Sequence, residues 1–377
     1  MTPAKKLGFG CMRLPLTDPE DFTKVDIAQV EKMVDTFLER GFTYFDTAYM
    51  YHEFLSEKIV RKALVERHDR SAFTLATKLP TMFLKAEGDQ ERIFAEQLEK
   101  CGVEYFDYYL LHNLNVANYR KAEQFDSFGF AGRMKAEGKI RHVGFSFHDN
   151  AELLDEILTA HPETEFVQLQ INYMDWENAS IQSRRCYETA RHHGKPVVVM
   201  EPVKGGTLAR LPEEVERLFR TLRPGLSPAS WAIRYAAGLE GVMMVLSGMS
   251  SPEQLEDNTS YMQDFRPLDA EEQAAVAKAV EIIDRATAIP CTACRYCVAG
   301  CPKQIAIPEY FALYNNMKQS ANKGFAVQSV YYDNLAQSHG RASECIGCRK
   351  CEKSCPQHLP IVDHLRQVAE AFEKSEN

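Results

Sequence analysis

The sequence predicts a (β/α)8 TIM barrel followed by a smaller, mainly helical, cysteine-rich domain. Three observations lead there. Eight short apolar runs alternate with amphipathic helical patterns over about 260 residues, the arithmetic of an eight-stranded α/β barrel. No G-x-G-x-x-G loop follows the first run, which sets a doubly wound open sheet aside. Eight of the eleven cysteines crowd between Cys291 and Cys355. On this basis the 377 residues divide into a barrel at 1-285 and a second domain at 286-377.

The strands are expected at Leu7–Met12, Thr43–Asp46, Phe73–Lys78, Phe106–His112, Ile140–Ser146, Phe166–Ile171, Pro196–Met200 and Val242–Leu246. All are short and rich in Val, Leu, Ile, Phe and Tyr, as buried parallel strands are. The first helix begins after Asp26, a side chain suited to capping. Ile27, Val30, Val34 and Phe37 then share one face, and Gly41 stops the helix. Gly102, Gly138, Gly194 and Gly238 are expected to close later helices in the same way. Ser251-Pro252 places a cap before a proline at the first helical position. A last helix, from Asp269 to about Ala286, covers roughly 25 Å at 1.5 Å per residue. That length is enough to return the chain to the barrel mouth and deliver the second domain there.

Composition narrows the function classes. The chain is 45% hydrophobic and 26% charged, ordinary values for a globular protein. No stretch approaches the uncharged apolar length of a membrane helix. Met1–Gly8 lacks the apolar run of a secretory signal, which points to a cytoplasmic protein. A net charge of -9 speaks against nucleic acid or an anionic membrane as partner. Cys11, Cys101 and Cys186 stand alone and read as small packing residues.

Barrel enzymes place their chemistry at the C-terminal strand ends. Asp46 closes the second strand, with Tyr51 in the loop beyond; Lys78 closes the third and His112 the fourth. A tyrosine donates a proton poorly at neutral pH, because its unperturbed pKa is about 10. A neighbouring ammonium favours the phenolate, and a carboxylate keeps that ammonium charged and in place. A histidine beside the phenol can bond a carbonyl or alcohol oxygen. Tyr51 would then protonate a carbonyl oxygen as the carbon receives hydride, with Asp46, Lys78 and His112 tuning and orienting it.

At these residues the sequence resembles the aldo-keto reductase family. The likeness rests on Gly41-Phe42-Thr43-Tyr44-Phe45-Asp46-Thr47-Ala48 with Tyr51, on Lys78, and on Tyr108-Tyr109-Leu110-Leu111-His112. It covers roughly 1–285 and fills all four positions of the family's tetrad. The resemblance implies NAD(P)H lying extended across the barrel mouth. Ser146, Gln168 and Met200 are its counterparts at the nicotinamide, although Phe147 stands where Asn is common and Met200 where an aromatic ring often stacks. Gly205 and Gly206 fit two readings equally, a backbone that approaches a pyrophosphate or a simple turn. Ser247, Gly248, Gln254 and Asn258 mark the strand-eight loop and the following helix, whose N-terminus suits a phosphate. NADP-specific relatives usually carry a basic residue where Gly248 or Gln254 stands, so NAD and NADP remain equal choices.

The cysteine-rich part reads C-x2-C-x2-C-x3-C-P twice, from Cys291 to Pro302 and from Cys345 to Pro356. Zinc has no use for a third close cysteine or for the Cys-Pro ending. A cubane iron–sulfur cluster does: close thiolates cap one face and a distant one closes the fourth corner. In two-cluster ferredoxins the fourth cysteine of each run serves the other cluster. Cys291, Cys294, Cys297 and Cys355 are therefore expected around one [4Fe-4S] cluster, and Cys345, Cys348, Cys351 and Cys301 around the second. The domain resembles a dicluster ferredoxin with a long insert between its runs. Helices are expected from Pro308 to about Met317 and from about Phe325 to Ala336. A third follows Pro360, with Ile361, Leu365, Val368 and Phe372 on its apolar face.

The reading is an oxidoreductase acting on a small carbonyl or alcohol, coupled to two clusters. Hydride carries two electrons and each cluster one, so a flavin or a ferredoxin-like electron partner is a candidate intermediary. Three other functions compete: a reductase with structural clusters, a ferredoxin-linked reductase without nicotinamide, and a redox-sensing binding module. Tyr49, Tyr173 and Trp176 are candidates both for the substrate pocket and for the core.

Overall fold

The computed structural model describes residues 5–285, 288–291, 293–319, 326–355 and 357–373. Ala286, Phe325 and Pro356, at which sequence expectations end or begin, lie outside them. Eight parallel strands close a barrel in sequence order. They are β1 (Leu7–Gly10), β2 (Tyr44–Asp46), β3 (Thr74–Leu79), β4 (Phe106–Leu114), β5 (Ile140–Phe147), β6 (Phe166–Gln170), β7 (Val197–Met200) and β8 (Val242–Ser247).

Side-chain alternation along each strand sorts the core into two layers. One set of apolar residues, including Phe9, Phe45, Leu75, Tyr109, Leu111 and Phe145, packs outward against the helices. The other set fills the barrel: Tyr44, Ala76, Tyr108, Leu110, Phe166, Val198, Met244 and Leu246. The same alternation that buries Tyr44, Ala76 and Leu110 directs Asp46, Lys78 and His112 to the barrel axis, one step nearer the mouth.

The expected helix ends are largely where their residues put them. Asp26 accepts from the Gln29 amide at 3.0 Å and starts Ile27–Glu39. Gly41, Gly102, Gly138 and Gly194 all take left-handed backbone after their helices. Gly238 does not. It is the last helical residue, packed against Pro267, and Gly241 takes the left-handed position instead.

Helix Ala270–Arg285 opens with a reciprocal cap, the Asp269 amide donating to Glu272 and the Glu272 amide to Asp269, both at 2.9 Å. Arg234 grips Glu272 with two bonds of 2.9 Å and so ties this helix to the barrel helix Pro228–Gly238. Near its C-terminal end, Asp284 feels the charge of Lys204 in the loop after β7, so the helix reaches the mouth side.

The C-terminal part is mainly helical, with helices Ile307–Gln319, Val327–Leu335 and Ile361–Phe372 around one apolar cluster. It docks on the loops that follow β4, β5 and β6. Asn115 donates to Asn334 at 2.8 Å, and Asn334 donates to the His148 carbonyl at 2.9 Å. The Ser180 hydroxyl donates to the Glu309 carbonyl at 2.7 Å. Ile181 joins the apolar cluster of the cysteine-rich part. Among the described residues no helix is long and apolar enough to cross a membrane.

Gly144 gives a direct check on the packing inside the barrel. A Cβ there would lie 2.5 Å from the Phe166 carbonyl oxygen and 2.7 Å from its ring. Gly144→Ala should cost about 1–3 kcal/mol through overpacking, seen as a lower melting temperature. An unchanged melting temperature would contradict this packing.

Candidate active site and cluster module

Lys78 is the buried centre of the mouth. Its side chain is 0% exposed, and an ammonium so placed has to be paired and hydrogen-bonded. Lys78 Nζ donates to Asp46 Oδ1 at 2.5 Å and to the Thr47 carbonyl at 2.7 Å. An ammonium has three protons. The Tyr51 ring stands on its remaining side, with Nζ 5.0 Å from the ring centroid, so the ammonium and the phenol share one electrostatic neighbourhood. His112 completes the group, its ring edge-to-face with Tyr51 at 6.0 Å. The four residues expected at one mouth are brought together.

The electrostatics of the set differ in one respect from the expectation. The Lys78 ammonium does pull the Tyr51 hydroxyl down, but burial outweighs it and leaves Tyr51 above its ordinary value. Tyr51 is therefore a neutral phenol at pH 7. Burial pushes Asp46 up, against the opposing pull of Lys78. Burial acts downward on Lys78, yet Asp46 and Tyr51 more than offset it and hold the ammonium charged. Burial, the Lys78 charge and His148 press His112 well below the usual imidazole range, so it is neutral.

The residues expected at a nucleotide fall in two sectors. Met200 ends β7, Ser146 is one residue before the end of β5, and Gln168 is two before the end of β6. Ser146 Oγ accepts from the Asn113 amide at 2.8 Å. Gln168 Nε2 lies 3.6 Å from Met200 Sδ, while its Oε1 is buried without a partner. Phe147 points outward into the core and takes no part in the mouth. In the second sector, Asn258 donates to Ser247 Oγ at 2.7 Å. Gln254 Oε1 accepts from the Ser250 amide at 2.7 Å. Gly205 and Gly206 both have positive φ, 64° and 96°, in the turn after β7. Gly248 lies against Arg13, a Cβ on it falling 3.3 Å from Arg13 Cβ.

Several residues of the mouth escaped the sequence reading. Arg13, beyond β1, pairs with Glu201, beyond β7, at 2.9 Å and contributes to the field at Tyr51. Lys204 and Asp175 form a buried pair at 2.5 Å, joined by Gln170, Asn172 and, from the cysteine-rich part, Asn316. His148 stands beside Lys78 and His112 electrostatically and meets Tyr331 edge-to-face at 5.7 Å. A signal for His148 existed, since two residues beyond Ser146 on the strand path returns to the same face. Tyr173 belongs to a buried cluster with Trp231 and Phe219, and Trp176 packs against the main core, so core packing accounts for both. Tyr49 donates to Glu96 at 3.0 Å.

The eight clustered cysteines line two cavities of four each. One is bounded by Cys291, Cys294, Cys297 and Cys355 with Ile307, Phe311, Leu359 and Ile361. The other is bounded by Cys301, Cys345, Cys348 and Cys351 with Ile305, Ile307 and Leu365. Ile307 borders both. The two runs fold alike: Ala293 and Gly347, Arg295 and Arg349, and Gln304 and His358 are left-handed at matching positions. Such alternation curls backbone N–H groups around an anionic centre. Arg295 lines the first cavity and Lys303 and Arg349 the second, cations suited to a cluster with four thiolates. The donor set and the apolar lining fit two cubane clusters.

Comparison with known proteins agrees with this division. The family model "Aldo/keto reductase family" matches residues 6–281, and "4Fe-4S dicluster domain" matches 290–362. A soybean (Glycine max) protein named "Probable aldo-keto reductase 1" is 28% identical over 179 residues, 45% of this chain. The match spans only 48% of that relative's length. The holo form of aldo-keto reductase AKR11C1 from Bacillus halodurans superposes with a TM-score of 0.58 at 26% identity, covering 74% of this chain and 95% of that one. The aldo-keto reductase of Klebsiella pneumoniae in complex with NADPH shares the fold at 21% identity, with a TM-score of 0.55 over 72% of this chain and 90% of that one. With a matched barrel and a matched cluster domain, the chain belongs to the aldo/keto reductase family and is an oxidoreductase carrying a 4Fe-4S dicluster domain.

Proposed function

We propose that the chain interconverts a small carbonyl compound and its alcohol by hydride exchange with NAD(P)H, with Tyr51 as general acid and base. The observation that carries this reading is the fully buried Lys78–Asp46 pair directed at Tyr51. The nicotinamide supplies the hydride when bound. Ser146, Gln168 and Met200 would flank its ring; Gly205, Gly206, Ser247, Gly248, Gln254 and Asn258 surround the path of its phosphates. Neutral His112 offers an N–H to the substrate oxygen and holds it beside the Tyr51 hydroxyl. As charge builds on that oxygen, Tyr51 gives up its proton, and Lys78 stabilises the phenolate left behind. Asp46 keeps Lys78 charged and fixed throughout.

The two cavities would hold one [4Fe-4S] cluster each, and clusters so held pass single electrons. The docking of their domain on the β4, β5 and β6 loops supports an electron path between clusters and mouth. A flavin, or a ferredoxin-like partner outside the chain, would divide the hydride's electron pair. A second reading, reduction with electrons from the clusters alone, draws on the Arg13–Glu201 bridge, the Asn258–Ser247 bond and the Gln254 carbonyl, which already accepts from Ser250.

Tyr51→Phe should lower carbonyl turnover about 10²- to 10⁴-fold, the usual weight of a general acid. Unchanged turnover would remove the hydride mechanism. Because burial raises Tyr51, the phenol stays protonated through neutral pH. The rate of reduction should therefore hold level there and fall only above about pH 10, where an ordinary phenol ionises. Anoxically purified protein should contain about eight irons and eight labile sulfides per chain. Cys294→Ala and Cys355→Ala should abolish the same cluster signal in EPR. Loss of different signals would contradict the crossed arrangement.

A further inference from the structure

His148 is a side chain of the mouth that the acid–base chemistry leaves unused and that, unlike the Arg13–Glu201 and Lys204–Asp175 pairs, has no ion-pair partner among the described residues. It follows β5 and is clamped by the cluster domain. Its amide donates to the Leu114 carbonyl at 3.0 Å. Its carbonyl accepts from Asn334 at 2.9 Å, and its ring is edge-to-face with Tyr331. Tyr331 is itself buried. Burial and the Lys78 charge push the His148 imidazole down to about 4, so it is neutral at pH 7. His112, at the end of the neighbouring strand, is neutral as well.

The two rings share another feature. Each has its Nδ1 enclosed by protein and without a partner. An enclosed, unpaired N–H is rare in proteins, so the proton of each ring is assigned to Nε2. Two neutral imidazoles on adjacent strands thereby offer two N–H donors. His112 serves the reacting oxygen. His148 has no protein acceptor for its donor among the described residues.

We propose that His148 is a second substrate-binding imidazole that selects compounds with an oxygen on the carbon next to the reacting carbonyl. The substrate class is then an α-hydroxy or α-oxo carbonyl compound, or a vicinal diol in the oxidative direction. The proposal rests on the carbonyl–alcohol reading above. It also gives the cluster domain a task in recognition, because Asn334 and Tyr331 hold His148 in place.

Acetoin and butan-2-one share a carbon skeleton and differ by that one hydroxyl. With anoxically prepared holoenzyme, their binding can be compared by saturation-transfer NMR and their kcat/KM with NADPH and NADH. Wild-type protein should favour acetoin by about tenfold, the weight of one neutral hydrogen bond. His148→Leu should lower the acetoin-to-butanone ratio by about the same factor. His148→Gln, which keeps an N–H near the Nε2 position, should restore most of it. Melting temperature and iron content identify a variant that has failed to fold. A wild type without preference, or a ratio that survives His148→Leu in folded protein, overturns the proposal. Equal loss of both ligands in His148→Leu also overturns it, since that is the mark of a structural role. A preference seen in binding and lost in His148→Leu, with no nicotinamide-dependent turnover, supports the proposal while removing the hydride reading.

Discussion

A lysine ammonium with no exposure to water is the constraint on which the mouth of this barrel depends. Left unpaired it would lose its proton or unfold the site. Asp46 and the Thr47 carbonyl neutralise and bond it, and both lie on the neighbouring strand path. The pair requires the β2–β3 register in which Asp46 sits opposite Ala76, two residues before Lys78. A one-residue slip would turn Lys78 into the outer apolar layer, among Leu75 and Leu79. Fold and chemistry are thus set by the same alternation: apolar inward residues fill the lower barrel, and polar ones occupy the last inward step.

The cluster domain extends this logic across the mouth. Beside the apolar packing of Ile181 and the His148–Tyr331 ring contact, its contacts include specific polar ones from Asn115, Asn334, Ser180 and the Asp175–Asn316 bond. Asp175 is fully buried and is held below the ordinary carboxylate range against burial, chiefly by Lys204. The domain therefore docks on a charged pair that is already satisfied inside the barrel loops. Such an interface fixes position more than it adds stability. It sets Tyr331 against His148, within the electrostatic neighbourhood of Lys78 and His112.

Much of this was legible in the residues. Eight apolar runs of strand length gave eight strands, because a parallel strand buried on both faces has little freedom to read otherwise. The tetrad was legible because three ionisable residues closed three neighbouring apolar runs. The cysteine runs announced their own grouping, and the crossed sets line separate cavities. What stayed hidden depends on barrel closure. Arg13 and Glu201 are 188 residues apart in sequence, and nothing local marks them as partners. Asp175 and Asn316 meet only when the second domain docks. Gly238 misled because a glycine at a helix end can serve close packing, here against Pro267, instead of the left-handed turn. The direction of the Tyr51 shift was also beyond the sequence, since the Lys78 charge was visible there and the depth of burial was not.

In the proposed function, mouth and clusters form one redox unit. An anoxic titration of the holoenzyme with NADPH and then NADH, followed by EPR and visible absorbance, tests it most directly. The expected result is the appearance of reduced-cluster signals as nucleotide is added, with up to two electrons taken per chain. Clusters that remain oxidised beside a bound nucleotide would contradict the claim and leave the dicluster domain as scaffold.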